Sequence, residues 1–292
     1  MRLCYEVELG YLVQAPGADF VFNVQAARTP QQMVVEESLA LSQQMPLQEY
    51  TDFASGGRFL RVSAQPGDLT LRYRAVVDVM HRVDDPAMVA EIPVRDLPGA
   101  VLPYLYPSRY CESDVLNAFA MQQFGTLWQG CGRVQAICDW VQHQVAFVSG
   151  SSSGTTSAAQ TLNQRQGVCR DFAHLMIALC RAVNIPARFT TGLDYGADPG
   201  LGPTDFHAYV EAYLGGRWYM FDPSGTAIPM GFVRLTSGRD AADSAYASIF
   251  GNVVPQGMRL SIRALPGADG VLREPVRTWQ ALSTDSGLQP SY

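Results

Sequence analysis

Charged side chains are scarce in this sequence of 292 residues: Asp, Glu, Lys and Arg supply only 16% of it, against roughly 25% in an average soluble protein. The net charge is −6 and there is no basic run, which excludes a nucleic-acid partner because phosphate binding requires a basic surface. The amino terminus shows no secretory signal, and no apolar run approaches the roughly 20 residues that span a bilayer. We therefore expect a cytoplasmic protein that binds neither nucleic acid nor membrane.

The cysteines lack the spacing of a metal site or of a disulfide framework. They are Cys4, Cys111, Cys131, Cys138, Cys169 and Cys180. Because they are scattered through a long chain without secretory context, we expect reduced thiols rather than disulfides. No CxxC pair or neighbouring pair of histidines accompanies Cys131 and Cys138, and no calcium-binding loop occurs, so the sequence predicts no metal and no cofactor.

The length is about twice that of a usual single domain, which predicts two domains. Residues 1–97 contain short alternating runs of apolar and polar residues between Gly, Pro and Asp, a pattern typical of an antiparallel β-sandwich. The proline-rich residues 97–107 are the candidate linker. Apolar residues make up 47% of the chain, and this excess over charged residues leaves a homo-oligomer as one possible outcome.

Residues 98–275 form the second predicted domain, where the apolar period changes to that of helices. Helices are expected at 112–124, 132–148, 158–165 and 168–183. Strands are expected at 187–195, 206–214, 217–222 and 257–265, with a Gly- and Pro-rich loop at 196–205. A further helix is predicted at 237–251, with Ser237 as its N-cap and Asp240 in its first turn. Residues 276–292 are predicted to be a loose tail.

Cys169 differs from the other cysteines because it directly follows Gly167 and Val168 at the first turn of the apolar helix. Free amide groups and the positive end of the helix dipole favour a thiolate at such a position. The alternative interpretation is a buried cysteine of a core helix. Asp171 lies in the same turn, and its charge opposes ionisation of the thiol. A nucleophilic Cys169 therefore needs a cationic partner.

His207 is the histidine best placed to be that partner. His81 and His143 are expected at the surface or at a domain edge. His174 lies about 140° round the helix from Cys169, which directs it away from the thiol. His207 instead stands on the first strand of a predicted hairpin, immediately after the Gly- and Pro-rich loop.

The register of this hairpin brings an acid to His207. With Gly215 and Gly216 as a two-residue turn, Asp222 and His207 lie diagonally on one face of the sheet, roughly 7–8 Å apart at the backbone. A four-residue loop gives the same result, whereas a loop of odd length would turn the strand over unless a bulge restored it. Thiol acyl transfer needs a nucleophile, a base and an orienting group, and Cys169, His207 and Asp222 are the candidates.

The sequence around these residues resembles the bacterial transglutaminase-like superfamily. The resemblance is carried by GVCRDFAHLMIALCRAVNIPAR and DFHAYVEAYLGGRWYMFDPSG. Cys169, His207 and Asp222 occupy the positions of the Cys, His and Asp of the family, in the same order and at typical spacings. The β-rich front also resembles the amino-terminal domain that accompanies this family in bacteria. The resemblance implies an α+β class, with a papain-like, transglutaminase-like catalytic domain after the β-sandwich, although the CGSCW-type signature of papain is absent.

The resemblance implies that the Cys169 thiolate attacks a peptide or carboxamide carbonyl of a protein or peptide substrate and forms a thioester. Hydrolysis, as in a cysteine protease or amidase, is favoured over transfer to an amine, as in a protein-glutamine transglutaminase, because an exposed thioester hydrolyses unless the site excludes water. A binding or scaffold protein that keeps the fold without catalysis is the alternative of another class.

Two features of the predicted site stay open in the sequence. The second donor to the oxyanion, beside the Cys169 backbone N–H, is expected upstream of the helix. The candidates are Gln160, Asn163, Gln164 and Gln166. Trp218 falls on the same strand face as Asp222, where it either walls the pocket or belongs to the core.

Overall fold

The computed structural model describes residues 1–53, 55–197, 200 and 204–284. Parts of the predicted loop at 196–205 and of the predicted tail lie outside the described residues. The strands are β1 (Arg2–Phe22), β2 (Gln32–Leu41), β3 (Gln48–Thr51), β4 (Arg58–Ala64), β5 (Gly67–Val79), β6 (Arg82–Asp84), β7 (Ala146–Phe147), β8 (Gln166–Gly167), β9 (Ala187–Asp194), β10 (His207–Leu214), β11 (Arg217–Phe221), β12 (Phe232–Gly238), β13 (Ala247–Leu265) and β14 (Ala281–Ser283). The α-helices are α1 (Asn117–Phe124), α2 (Cys131–Gln144), α3 (Ala158–Gln164) and α4 (Cys169–Ala182).

The first sheet is organised around β1, which alternates apolar and polar residues and buries Tyr5, Val7 and Leu9. Its first part pairs antiparallel with β5 on one side and with β13 on the other, and its last part pairs with β4. The register against β13 shifts between Val13 and Ala18. Gly17 is required at this bend because its φ is +131° and a Cβ there would lie 2.7 Å from the Ala64 carbonyl oxygen.

The strand-rich character predicted for the amino-terminal segment is confirmed, and its strands form one hydrogen-bonded sheet in the order β2-β5-β1-β4-β3, with β13 also paired to β1. Phe20 and Leu60 at one end share a single apolar core with Leu3 and Leu71 at the other. The arrangement as two separate packed sheets stays a prediction. Because β13 comes from the far end of the chain, residues 247–265 complete the sheet of the amino-terminal segment.

The second part of the chain packs helices against a four-stranded antiparallel sheet of order β11-β10-β9-β12. The helix predicted at 132–148 is present as α2, and its residues Val134, Ile137 and Val141 are fully buried. Helix α4 contacts α1, α2 and α3 on one side and β9 and β10 on the other, which explains why it is buried from Asp171 to Ala182. In the described part of the chain, no helix is long and apolar enough to cross a membrane.

The helix predicted at 237–251 is wrong. Ser237 and Gly238 end β12, turns follow, and β13 begins at Ala247. Asp240 is buried and accepts hydrogen bonds from the backbone N–H groups of Tyr110 and Ala242, so it holds a turn rather than capping a helix. The backbone of β13 pairs with β1, and this pairing overrides the helical pattern of the local sequence.

Two segments treated as connections are ordered parts of the core. Ala281–Ser283, within the predicted tail, pair with Arg82–Asp84 and are buried, so the tail prediction is wrong for these residues. Leu97 and Val101 of the predicted linker pack with Trp218 in a small apolar cluster. Trp218 therefore belongs to the core, as one of the two interpretations expected.

A buried ion cluster ties β10 to β9 and β12 in the second part. Glu211 on β10 is fully buried, and its Oε2 lies 2.7 Å from Arg188 Nε of β9 and 2.9 Å from Arg234 Nη1 of β12. Burial alone would raise the pKa of Glu211, but the two guanidinium groups and their hydrogen bonds hold it at about 2. Glu211 is therefore ionised at neutral pH, and its negative charge balances the two arginines.

We expect Glu211→Ala to lower the free energy of unfolding by roughly 3–5 kcal/mol, because two buried arginines lose their shared anion. Urea denaturation at neutral pH measures this change. Glu36→Ala is the matched control: it removes the acid of an exposed ion pair with Arg74 and should barely change the unfolding midpoint. Equal midpoints for the two variants would contradict a structural role for the cluster.

Candidate active site

Cys169 is the first residue of α4, as the sequence predicted, and it is partly exposed. Its Sγ lies 3.9 Å from the carbonyl oxygen of Phe206. Asp171 Oδ2 accepts a hydrogen bond from the Val168 backbone N–H at 2.9 Å, and Asp171 Oδ1 lies 3.0 Å from Arg170 Nη2. The charge of Asp171, which would oppose a thiolate, is thus balanced by a cation of the same turn.

The other five cysteines are buried free thiols. Burial raises the pKa of Cys131 to about 11 and those of Cys111 and Cys180 to about 12, and it raises the pKa of Cys138 well above its usual value. Such thiols are poor nucleophiles near neutral pH. Among the described residues, no three His, Cys, Asp or Glu side chains are grouped as a metal site would require.

The hairpin of β10 and β11 has the predicted register. Leu214 pairs with Arg217 and Val210 pairs with Phe221. Gly215 and Gly216 form the turn with φ of +53° and +85°, the two positive values that a tight two-residue turn demands and that glycine adopts without strain. This register brings His207 Nε2 to 3.3 Å from Asp222 Oδ1.

Asp222 is fixed by hydrogen bonds from the segment that follows β11. Its Oδ1 accepts from the Ser224 hydroxyl at 2.6 Å and from the Ser224 backbone N–H at 3.0 Å. Its Oδ2 accepts from the Ala227 backbone N–H at 3.0 Å. Burial acts to raise the pKa of Asp222, but His207 and these donors outweigh it and hold that pKa below its usual range. Asp222 is therefore a rigid anion beside His207.

His207 is buried at the start of β10, where it meets both the thiol and two acids. Its Nδ1 lies 3.7 Å from Oδ2 of Asp194, a second buried carboxylate. Burial acts to lower the pKa of His207. The charges of Asp194 and Asp222, a hydrogen bond with Asp222 and a hydrogen bond with Cys169 outweigh burial and raise that pKa well above its usual value. The geometry therefore favours a charged imidazolium next to Cys169.

Sequence reasoning missed two residues of this site. Ser224 follows Asp222 by two positions, the spacing at which an Asp side chain closes a turn onto the backbone, and this signal was available. Asp194 could not be predicted in this way, because the long connection between β9 and β10 does not fix the register of these two strands. Of the residues named for the oxyanion, Gln160 uses its side-chain oxygen to accept from the Ser157 backbone N–H in the cap of α3.

Comparison with known proteins assigns these features to a family. A model of the transglutaminase-like superfamily matches residues 119–223, which include Cys169, His207 and Asp222, and a model of the bacterial transglutaminase N-terminal domain matches residues 1–100. The crystal structure of a candidate cysteine protease from Cytophaga hutchinsonii is similar over 97% of both chains, with 39% identity and a TM-score of 0.89. The chain belongs to the transglutaminase-like superfamily.

Curated relatives of this superfamily member match over a shorter length. An uncharacterized protein of Mycobacterium leprae is 32% identical over 117 residues, which are 38% of this chain and 42% of the relative. An uncharacterized protein of Mycobacterium bovis is 32% identical over 108 residues, or 33% of this chain and 34% of the relative. The chain thus spans less than half the length of these relatives. The predicted domain boundaries after residues 97 and 275 stay predictions.

The pH dependence of the free energy of unfolding tests the electrostatics of Asp194. Burial raises the pKa of Asp194 from 3.8 to about 6, so its contribution to folding is fully favourable below pH 3.8 and is lost as the pH rises through 6. We expect Asp194→Asn to unfold with a higher free energy than wild type above pH 7, by up to about 3 kcal/mol, and with little difference at pH 4. Denaturant unfolding at the two pH values measures this gain, and a constant difference would contradict it.

Proposed function

We propose that this chain is a cysteine-dependent acyl-transfer enzyme that acts on peptide or carboxamide bonds of proteins or peptides. In this proposal Cys169 is the nucleophile, His207 is the base and Asp222 orients His207. One observation carries the proposal: Cys169 lies at a helix start with its Sγ 3.9 Å from the carbonyl oxygen of Phe206, and the next residue, His207, holds its Nε2 3.3 Å from the rigid carboxylate of Asp222. The name of the relative from Cytophaga hutchinsonii, a candidate cysteine protease, supports the same chemistry.

The first half-reaction forms a thioester. The Cys169 thiolate attacks the carbonyl carbon, an S–C bond forms, and the carbonyl oxygen becomes an oxyanion that we expect the backbone N–H of Cys169 to stabilise. The C–N bond then breaks as the oxyanion collapses, and His207 gives its proton to the leaving amine or ammonia. Asp222 keeps the ring oriented through Nε2 and balances its positive charge.

The second half-reaction releases the acyl group. His207 takes a proton from water, the water oxygen bonds to the thioester carbon, and the S–C bond breaks to return the thiolate. We favour water as the acceptor because Cys169 is partly exposed, so the thioester is open to hydrolysis unless a bound amine displaces water. The enzyme is then a protease or an amidase.

A protein-glutamine transglutaminase is the second candidate, favoured by the match of residues 1–100 to the N-terminal domain of bacterial transglutaminases. In that reaction an amine, such as a lysine side chain, replaces water as the acyl acceptor. The sequence contains 21 arginines and no lysine. The enzyme therefore offers no lysine side chain as an acceptor, so that lysine amines must come from another molecule.

The coupling between thiol and imidazole predicts a selective reactivity. Iodoacetamide at about pH 6 should alkylate Cys169 at least tenfold faster than any of the five buried thiols, because a thiolate paired with an imidazolium persists below the usual thiol pKa. His207→Ala should remove most of this advantage, since it removes the cation. Intact-mass analysis with peptide mapping measures the rate at each site.

His143→Ala is the matched control for this labelling experiment. His143 is exposed at the end of α2, where its Nδ1 lies 2.6 Å from the Asp139 carbonyl oxygen, so its loss should leave the rate at Cys169 unchanged. Cys169→Ala should abolish the fast labelling. Equal rates for wild type and His207→Ala would show that the pair is not coupled and would favour the non-catalytic scaffold.

The identity of the acceptor can be read from one reaction mixture. We expect a glutamine-containing protein substrate with an excess of a labelled primary amine to yield new chain termini or free ammonia, with little incorporated amine. Mass spectrometry of the substrate and an ammonia assay measure the two outcomes, with Cys169→Ala as the blank. Incorporation of the amine in proportion to ammonia release would identify a transglutaminase instead.

A further inference from the structure

His207 faces two carboxylates, and only one of them belongs to the proposed triad. Its Nε2 lies 3.3 Å from Asp222 Oδ1, and its Nδ1 lies 3.7 Å from Asp194 Oδ2. Both ring nitrogens therefore face acceptors. The distance from Nδ1 to Asp194 Oδ2 is longer than a hydrogen bond, so Asp194 acts on the ring through its charge, which favours the protonated form. The second carboxylate thus favours the imidazolium, which is the form that a Cys169 thiolate needs as its partner.

Asp194 is held at the end of β9 with one oxygen aimed at His207. It is 3% exposed, and its Oδ1 accepts a hydrogen bond from the Tyr209 hydroxyl at 2.6 Å. Its Oδ2 has no hydrogen-bond partner among the described residues. A neutral amide would accept from Tyr209 equally well, so this bond does not explain a carboxylate here. Burying a carboxylate with an unpaired oxygen costs free energy. We attribute the presence of a carboxylate at this position to the effect of its charge on His207.

Several elements bring titratable groups to Asp194 and His207. The groups are Tyr209 on β10, Asp222 after β11, Cys169 on α4 and Asp205 before β10; the residue of β12 paired with Asp194 is the uncharged Phe232. Burial raises the pKa of Asp194 to about 6, with His207 and the Tyr209 hydroxyl acting against burial and Asp222 acting with it. Asp194 is therefore an anion at neutral pH.

We propose that Asp194 is a positioning residue that acts through His207: its carboxylate holds the Nδ1 side of the imidazolium and sets the pH range in which the Cys169 thiolate pair exists. This proposal rests on the proposed roles of Cys169 and His207. Asp194 is too deeply buried to meet a substrate, and no atom passes through it during the reaction. Its only action is that of a fixed negative charge beside the pair.

The charge of Asp194 acts in the same direction on both members of the pair. It raises the pKa of the imidazolium because it favours the positive ring, and it raises the pKa of the thiol because it disfavours the thiolate. Removing the charge lowers both values, so the whole pH profile moves toward acid. A residue that served packing alone would change the height of the profile and leave its position unchanged.

The test is Asp194→Asn, which keeps the shape of the side chain and the acceptor for Tyr209 while removing the charge. The titration midpoint of His207, followed by NMR of ring-labelled histidine, should fall by about one pH unit or more. The acid limb of the pH profile of Cys169 alkylation should also move to lower pH. The His207 signal is assigned among the four histidines by its loss in His207→Gln.

Asp243→Asn is the matched control because it removes one negative charge from an ion pair with Arg239, outside the contacts of His207. It should leave both midpoints within about 0.2 pH unit. Midpoints in Asp194→Asn that stay equally close to wild type would overturn the proposal. The NMR midpoint does not depend on turnover: a shift without any substrate turnover would reject the proposed function alone, whereas turnover without a shift would reject the role of Asp194 alone.

Tyr209→Phe keeps the test decisive if Asp194→Asn does not fold. It removes the hydrogen bond that stabilises the ionised Asp194, so the pH at which Asp194 loses its charge should rise above about 6. The inflection that this titration produces in the His207 signal should move upward with it. An inflection that is absent, or that does not move, would overturn the proposal as well.

Discussion

The candidate site depends on one packing contact, that of α4 against β10. Cys169 is the first residue of the helix and His207 is the first residue of the strand, so the contact places both at one end of the layer. Because α4 is buried from Asp171 to Ala182, neither its position nor its rotation can change without opening the core. The packing of this helix against this strand therefore determines where the thiol and the imidazole lie.

The two faces of strand β10 have different surroundings, one apolar and one polar or charged. Ala208, Val210 and Ala212 belong to the apolar core that contains α4. The alternate residues His207, Tyr209 and Glu211 point to the opposite face, where each has a polar or charged partner. The buried charge at His207 has two anions around one cation, and the buried charge at Glu211 has two cations around one anion. The first arrangement favours a reactive imidazolium, whereas the second fixes three strands.

The sequence was informative wherever a local rule fixed the geometry. A two-glycine turn determines the register of β10 and β11, so the contact between His207 and Asp222 follows from the sequence alone. The neighbouring contact with Asp194 depends on the register of β9 and β10, which are joined by residues 195–206 and which only tertiary packing aligns. The same limit explains the wrong helix at 237–251. Its residues are locally suited to a helix, but Ile249 and Phe250 pair with Phe20 and Asp19 of a strand at the other end of the chain.

The amino-terminal sheet supports the site through the segment where β13 begins. The Tyr246 carbonyl oxygen accepts from the Asn23 backbone N–H directly after β1, which anchors Tyr246 to the first sheet. Its ring stacks on Phe206, with centroids 4.3 Å apart and an interplanar angle of 13°. Phe206 precedes His207, and its carbonyl oxygen faces the Cys169 thiol. The first sheet thus stabilises the backbone just before His207 through this stacked pair.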